Sequence, residues 1–388
     1  MFSCRSWNDF MPFSTIAYVH YWPVLTYAAS SVHVMKMCQA FKQAGYKTTL
    51  YAPDEQGQRP DISQIWHHFG IEDTFNLHLI RPLPFLRKHD VALRAAWAIR
   101  PTPHVLAYGR NLAAMMWTSL FGIPTVLEVH DAPSSIQLYY MRLLLRGAGF
   151  RRLVVISSPL KEHYQTELAL PEEQIIVEPD AVDIERFEAS PPIEQAKQQL
   201  NINPQTFTVG YAGNLYQGRG IELIIELAER MPEIAFLIVG GKPQHVEQYR
   251  QIARDRHLKN LNWVGFVANS QLPLYLAACD ILLMPYQRTI RVHNNEGDIS
   301  NWISPMKMFE YMAARRPIIS SDLPVLHDIL NEKNALLVTP DALDEWLRGI
   351  EHLRHQPQIG IELAQHAYRD VQQFTWKKRV GRLLEQIN

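Results

Sequence analysis

In the stretch GYAGNLYQGRG, residues 210–220, Gly213 and Gly218 have the spacing of a phosphate-binding P-loop, G-x-x-x-x-G-K-[ST]. Arg219 stands where that motif has its Lys, and Gly220 where it has the hydroxyl that ligates Mg²⁺. Without that hydroxyl, a P-loop NTPase is a poor reading. The loop keeps what an anion needs. Gly218 and Gly220 let the backbone come close, and the helix that follows offers unpaired N–H groups at its start. Its apolar face is Ile221, Ile224, Ile225 and Ala228, at the helical period. Arg219 adds a planar fork suited to phosphate. The same glycines serve a tight strand-to-helix turn equally well, and the loop alone does not choose between the two.

A second stretch, ISPMKMFEYMAARRP at 303–317, shifts the balance. Ser304 is expected to cap a helix whose first residue is Pro305, leaving the N–H groups of Met306 and Lys307 facing outward. Lys307 brings a charge, and Glu310 lies on the same face nearly one turn later. A diphosphate fits between Arg219 and this helix end, with Glu310 accepting hydrogen bonds from ribose hydroxyls. A plain surface ion pair between Lys307 and Glu310 would explain neither the Ser-Pro start nor the apolar run MFEYMAA.

The elements that must position these residues follow from the rest of the chain. Its 388 residues suit two domains, and 47% hydrophobic content supplies two cores. A formal net charge of -1 gives no polyanion footprint, so nucleic acid is not expected as a partner. Cys4, Cys38 and Cys279 are far apart, which excludes a disulfide framework or zinc ribbon and suits a reducing, cytoplasmic compartment. The most apolar segment, LAAMMWTSLFGIPTVL, is short for a membrane span and is broken by Gly122 and Pro124, so it reads as buried helix, turn and buried strand. The first residues, MFSCRSWNDFMPFS, lack the apolar core of a signal peptide.

Strand-like and helix-like runs alternate from end to end, which predicts parallel α/β architecture. TIAYVHYW, KTTLYA, HVLAYG, PTVLEVH and RLVVIS read as strands of a first sheet, with a helix at about 31–44. FTVGYAG, IAFLIVGG, LNWVGFV, DILLMPY and RPIISS read as strands of a second. Two Rossmann-like domains are therefore expected, at 1–185 and 186–371, divided near the Pro-rich EASPPIEQ. A last helix at about 372–388 is expected to start after Thr375 and to pack back onto the first domain. Ligands of open α/β sheets bind at the carboxyl ends of strands. That rule picks out His20 to Pro23, Arg110, His130 with Asp131, Ser157, Asn214 to Gly220, Gly241 with Lys242, and the loop before Lys307. His130 has no evident local partner but Asp131, which would point to the other face, so a buried structural histidine competes with a site residue.

Five segments, in order, resemble the retaining glycosyltransferases of family 4, whose fold is the two-domain GT-B. They are SSVHVMKMCQAFKQAGYKTTLYA, GIPTVLEVHD, LVVISSPLKEHY with PDAVDIERF, GYAGNLYQGRGIELIIELA, and SPMKMFEYMAARRPIISSD. The resemblance implies parallel sheets facing a central cleft, a nucleotide-diphosphate sugar as donor and a hydroxyl acceptor. It implies donor contacts from Gly213, Asn214, Gly218, Gly220, Ser304, Pro305 and Met306, and catalytic roles for His130, Arg219, Lys307 and Glu310. His130 would contact the donor sugar or the leaving phosphate. Tyr21, Trp22, Tyr27 and Arg110 would line the acceptor side, although ordinary packing explains the aromatics equally well. Absence of a D-x-D motif predicts a reaction without metal, and no cofactor is expected beyond the nucleotide sugar.

The chain departs from the family pattern at three places. Asn214 is neutral where the family has a second basic residue. Trp302 stands where the first Glu of the usual pair would be, so contact with the sugar would fall to backbone groups or to Glu296 or Asp298. Arg315 takes the place of a helix-ending Gly. A GT-B nucleotide-sugar epimerase and a non-catalytic nucleotide-sugar sensor are the competing functions. The basic, apolar stretch MRLLLRGAGFRR reads either as a contact for an anionic membrane surface or as a solvated helix face.

Overall fold

The computed structural model describes residues 13–24, 29–54, 62–83, 89–291 and 297–387. Tyr27 and Glu296 lie outside the described residues. The chain divides into two compact units, Met1–Pro179 with Trp376–Asn388, and Asp180–Thr375. The first unit thus ends six residues before the boundary expected at 185, and the last helix belongs to it.

The strands of the first unit are β1 (Thr15–Val19), β2 (Lys47–Pro53), β3 (Asn76–Ile80), β4 (Val105–Gly109), β5 (Thr125–Val129), β6 (Phe150–Val155) and β7 (Ile175–Val177). They form one sheet in the order β3-β2-β1-β4-β5-β6-β7, and each adjacent pair is parallel. Its helices are α1 (Ala29–Gln43), α2 (Ile62–Phe69), α3 (His89–Ile99), α4 (Leu112–Leu120), α5 (Ser135–Arg146) and α6 (Ser158–Leu168). As the sequence predicts, the segment 111–129 folds as a helix, a turn at Gly122 and a strand. Among the described residues no helix is long and apolar enough to cross a membrane.

The second unit holds α7 (Ile184–Glu188), α8 (Ile193–Gln199), β8 (Thr208–Ala212), α9 (Ile221–Arg230), β9 (Ala235–Val239), α10 (Pro243–Asp255), β10 (Leu261–Gly265) and α11 (Leu272–Ala277). It continues with β11 (Ile281–Met284), α12 (Met306–Ala313), β12 (Ile318–Ser321), β13 (Leu336–Val338), α13 (Leu343–His355) and α14 (Pro357–Val371). Its sheet runs β10-β9-β8-β11-β12-β13, again with every adjacent pair parallel. After it, α15 (Trp376–Ile387) returns to the first unit, where it packs on α1.

Continuous apolar runs become two-faced strands because side chains alternate across a sheet. In β9, Phe236 and Ile238 enter one core with Trp346 and Ile224, while Leu237 and Val239 enter the other with Phe309 and Met312. β11 splits in the same way, with Ile281 and Leu283 on one face and Leu282 and Met284 on the other. In each sheet the strand order reverses direction once, between β1 and β4 and between β8 and β11. Loops that leave the carboxyl ends of those strands diverge and open a crevice.

Candidate active site

In the second unit the crevice is framed by the loop from β8 to α9. Gly218 and Gly220 both have φ of +82°, in the left-handed region. A Cβ on Gly218 would fall 2.1 Å from Thr289 O, and one on Gly220 would fall 1.9 Å from Pro285 O. The loop is therefore pressed onto the segment that follows β11, an approach only glycine allows. Gly220 is the N-cap of α9, and no side chain caps that helix, so its first N–H groups have no side-chain acceptor. Gly213 faces Lys307: a Cβ there would lie 3.4 Å from Lys307 Nζ.

Two cations share one aromatic ring at this place. Arg219 Cζ is 5.2 Å, and Lys307 Nζ 4.6 Å, from the centre of Tyr286. Lys307 Nζ also sits 4.0 Å over Tyr211. Tyr211 donates its hydroxyl hydrogen to the backbone carbonyl of Asn214, 2.7 Å, which fixes that ring under the loop. Neither Lys307 Nζ nor Arg219 Nε has a hydrogen-bond partner, although both are buried. Burial, and then the neighbouring Arg219 charge, holds the Lys307 ammonium well below the usual lysine range. A buried ammonium with no acceptor, beside a second, half-buried cation, is costly, and a bound anion relieves that cost.

The start of α12 differs from the expectation. The helix begins at Met306 with Pro305, φ -77° and ψ 126°, as its extended N-cap, so Pro305 is not the first helical residue. Ser304 does not cap the helix. Its Oγ accepts from the backbone N–H of Asp180 at 3.1 Å, because the extended Pro305 places the hydroxyl one residue too far from the helix end. No side chain caps α12. The Met308 N–H turns back to Pro305 O, and the Met306 and Lys307 N–H groups are the ones at the open end.

Glu310 is half-buried one turn along α12. Burial raises its carboxyl to about 6, against the pull of Arg186 and a hydrogen bond from Asn269. Arg186 is itself held by Asn269 Oδ1 at 2.6 Å. Asp298, offered as a substitute sugar contact, is committed elsewhere: its Oδ1 accepts from the N–H groups of Ile290 and Ser300, each 2.9 Å away. Partial desolvation pushes the carboxyl of this exposed residue up, but those N–H groups hold it below the ordinary range. The brace shapes the loop and leaves that oxygen unavailable to a sugar.

In the first unit, His130 follows β5, and its partner is not Asp131 but Glu128. Residues two apart share a strand face, and His130 Nε2 lies 2.7 Å from Glu128 Oε1. His33 Nε2 lies 2.8 Å from the same oxygen, and Arg379 of α15 reaches it at 3.1 Å. Tyr108 donates its hydroxyl to the other carboxylate oxygen. Glu128 and Arg379 are both fully buried. Burial pushes the Glu128 carboxyl up, but Arg379, then His33 and His130, hold it well below the usual range. His130 keeps 13% of its side chain exposed. Beside the cluster, burial and Arg110 lower the buried His20 to about 3, so that imidazole is neutral. Arg110 follows β4, where strand-end reasoning puts it. Tyr21 and Trp22 are 45% and 47% exposed and meet edge-on at 5.1 Å.

Glu128, Arg379, His33, Tyr211, Tyr286, Arg186 and Asn269 were not among the sequence-based site residues. One signal was available for Glu128: a carboxylate within the apolar run PTVLEVH must find a buried partner.

These two sheets, with a glycine loop and buried cations at the crevice of the second, define the GT-B class. The family model described as Glycosyltransferase Family 4 matches residues 30–186, and that described as Glycosyl transferases group 1 matches residues 206–356. The chain belongs to the group 1 glycosyltransferases. It is 28% identical over 320 residues to a 2-deoxystreptamine glucosyltransferase of Streptomyces kanamyceticus, covering 71% of this chain and 78% of that one. It is 21% identical to a processive diacylglycerol alpha-glucosyltransferase of Acholeplasma laidlawii, covering 81% of this chain and 85% of that one. Among solved structures, Anabaena Alr3699/HepE in complex with UDP-glucose superimposes with a TM-score of 0.73 at 16% identity, over 96% of this chain and 99% of that one.

Proposed function

We propose that this chain transfers a sugar from a nucleotide-diphosphate donor to an acceptor hydroxyl, with retention of anomeric configuration and without a metal ion. The observation that carries the reading is the buried, partnerless Lys307 ammonium, which shares the Tyr286 ring with Arg219 beside an uncapped helix start. When the bond from the anomeric carbon to the β-phosphate oxygen breaks, negative charge grows on the departing diphosphate. Arg219, Lys307 and the N–H groups of α9 stabilise that charge in place, the largest kind of contribution a site can make to such a step. They fill the role a divalent cation has in other transferases. Glu310 holds the ribose through its hydroxyls. His130, oriented by Glu128, is assigned to the donor sugar, and Tyr21, Trp22 and Arg110 to the acceptor.

The test is transfer itself. Purified protein with EDTA, a panel of UDP-, GDP- and ADP-sugars and simple glycoside acceptors should form a product whose anomeric proton coupling matches that of the donor. Inversion would remove the retaining assignment, and strict dependence on added Mg²⁺ or Mn²⁺ would remove the metal-free one. Isomerised nucleotide sugar without transfer would favour the epimerase. Binding with neither transfer nor slow donor hydrolysis would favour the sensor.

A further inference from the structure

At the opposite edge of the second sheet, where β11 and β12 begin, lies a half-open depression of about 850 Å³ that the donor chemistry does not use. Its wall and floor are apolar, with Phe207, Pro317, Leu353 and Ile361 among the lining residues. Gly360 makes the floor possible: a Cβ there would meet Pro317 Cγ at 2.8 Å, so only glycine lets α14 lie this close.

Four arginines, Arg315, Arg316, Arg354 and Arg369, are among the residues that line the same depression. Asp280, the carboxylate among the lining residues, is committed to Lys197 Nζ and to the Thr208 N–H, both at 2.7 Å. Arg354 is paired with Glu233 at 2.9 Å. Arg316 is different. It gives one N–H to Ala277 O at 2.8 Å, its Nε is buried without a partner, and no carboxylate pairs with it among the described residues. Arg369 is exposed and likewise has no ion-pair partner among them. Arg315 has φ of +55°, a left-handed conformation that a glycine would adopt at lower cost. It is held there 3.8 Å over the Tyr368 ring, with Glu188 3.6 Å away. The fold thus retains an arginine at a strained position on the rim of a depression that already carries two unpaired ones.

An apolar cavity in the size range of ligand sites, with two arginines at one side that no carboxylate meets at ion-pair distance among the described residues, matches one ligand chemistry. We propose that this depression binds an amphipathic phosphate monoester, its head on Arg316 and Arg369 and its apolar body against Phe207, Leu353 and Ile361. Guanidinium forks recognise phosphate oxygens in pairs, and the apolar wall rejects a bare, fully hydrated anion. The site does not depend on the transferase reading, since it shares no residue with the donor loop.

The probe is 1-naphthyl phosphate, titrated calorimetrically into the full chain, with inorganic phosphate and 1-naphthol as controls. The expected result is a single site that binds naphthyl phosphate at least tenfold tighter than either control. Arg369→Gln and Ile361→Glu, both at exposed positions, should each weaken it by roughly tenfold or more. Arg316→Gln should do the same if the variant folds, while Arg219→Ala should leave the affinity unchanged. Competition by dihexanoyl phosphatidate below its micellar concentration would assign the natural ligand to lipid, and its failure to compete would assign a soluble phosphate ester. No saturable binding would overturn the proposal, as would equal binding of 1-naphthol. Loss in Arg219→Ala with full affinity in Arg369→Gln would overturn it too, by placing the probe in the donor loop.

Discussion

Replacing Lys307 by Met should weaken diphosphate binding and at the same time stabilise the free protein. The side chains have similar volume, so the Tyr211 and Tyr286 rings keep a neighbour and the chief change is the charge. A charge-assisted contact to phosphate contributes about 1.5–3 kcal/mol, so the dissociation constant of the diphosphate should rise roughly 10- to 150-fold. In the free protein the ammonium is buried without an acceptor, which costs about 1–3 kcal/mol or more for a charged group. The two aromatic rings return about 0.5–2 kcal/mol of that. Burial, and then the neighbouring Arg219 charge, holds the ammonium well below the usual lysine range, in the direction of a net cost. A net gain of the order of 1 kcal/mol, or roughly 2–4 °C in Tm, is expected for a domain of this size.

The pH dependence has a definite sign. A lysine with a depressed folded pKa binds fewer protons folded than unfolded between its two pKa values, so wild-type stability recovers as pH rises through the folded value. The advantage of Lys307→Met should therefore be largest at low pH and fade toward about 10.4, the unfolded lysine value. Calorimetric titration with whichever of UDP, GDP or ADP binds wild type, together with thermal melts from acid to alkaline pH, reads both effects. Unchanged affinity, or a lower Tm in the variant, would refute the picture of a cation strained for an anion.

The same physical accounting reaches other residues. Glu310 is raised to about 6, so donor affinity should decline as pH falls through about 6, and Glu310→Gln should abolish that decline. UDP-glucose is a suitable probe, because its diphosphate has no ionisation nearby, and a pH-independent wild type would count against the ribose contact. Gly220→Ala should unfold several degrees lower, since it combines a left-handed backbone with a Cβ 1.9 Å from Pro285 O; an unchanged Tm would mean that the loop is not packed as described. Glu128→Gln should cost about 3–5 kcal/mol at neutral pH by leaving Arg379 buried without its counter-charge. Glu128 is depressed, so its contribution is present above the unfolded carboxylate pKa and lost as pH falls through the folded one. Urea melts at pH 7 and in acid should thus converge for wild type and variant, and parallel curves would contradict this. The exposed face of α5, with Ile136 and Tyr139 beside Arg142 and Arg146, should sediment with vesicles rich in anionic lipid. Ile136→Glu with Tyr139→Glu should abolish sedimentation, and binding unaffected by the pair would return this helix to a merely solvated face.

What the sequence made legible was local. Apolar runs ending in polar residues located ten of the thirteen strands among the described residues to within a few residues, and the glycine spacing after β8 pointed to the loop of the candidate site. The strands it missed, β3, β7 and β13, lie at sheet edges, where Asn76–Ile80 alternates exposed and half-buried residues and the other two span three residues each. Nothing in so short or so polar a run distinguishes it from a loop. The site was half legible for a related reason. Lys307, Glu310 and His130 carry chemistry in their own type and neighbours. Arg379 and Glu128, 251 positions apart, become partners only when α15 returns to the first unit. Ser304 misled because Ser-Pro before a helix satisfies two capping rules at once, and the extended Pro305 made the hydroxyl serve Asp180 instead.

The most direct test of the central claim is a calorimetric titration of UDP, GDP and ADP, in EDTA and with Mg²⁺, into wild type and Arg219→Ala. The diphosphate cradle predicts that one nucleotide binds in EDTA with affinity little changed by Mg²⁺, and that Arg219→Ala weakens it by about tenfold or more. Failure of all three to bind, or binding that appears only with Mg²⁺ and survives Arg219→Ala, would contradict it and leave residues 210–220 as a packing turn.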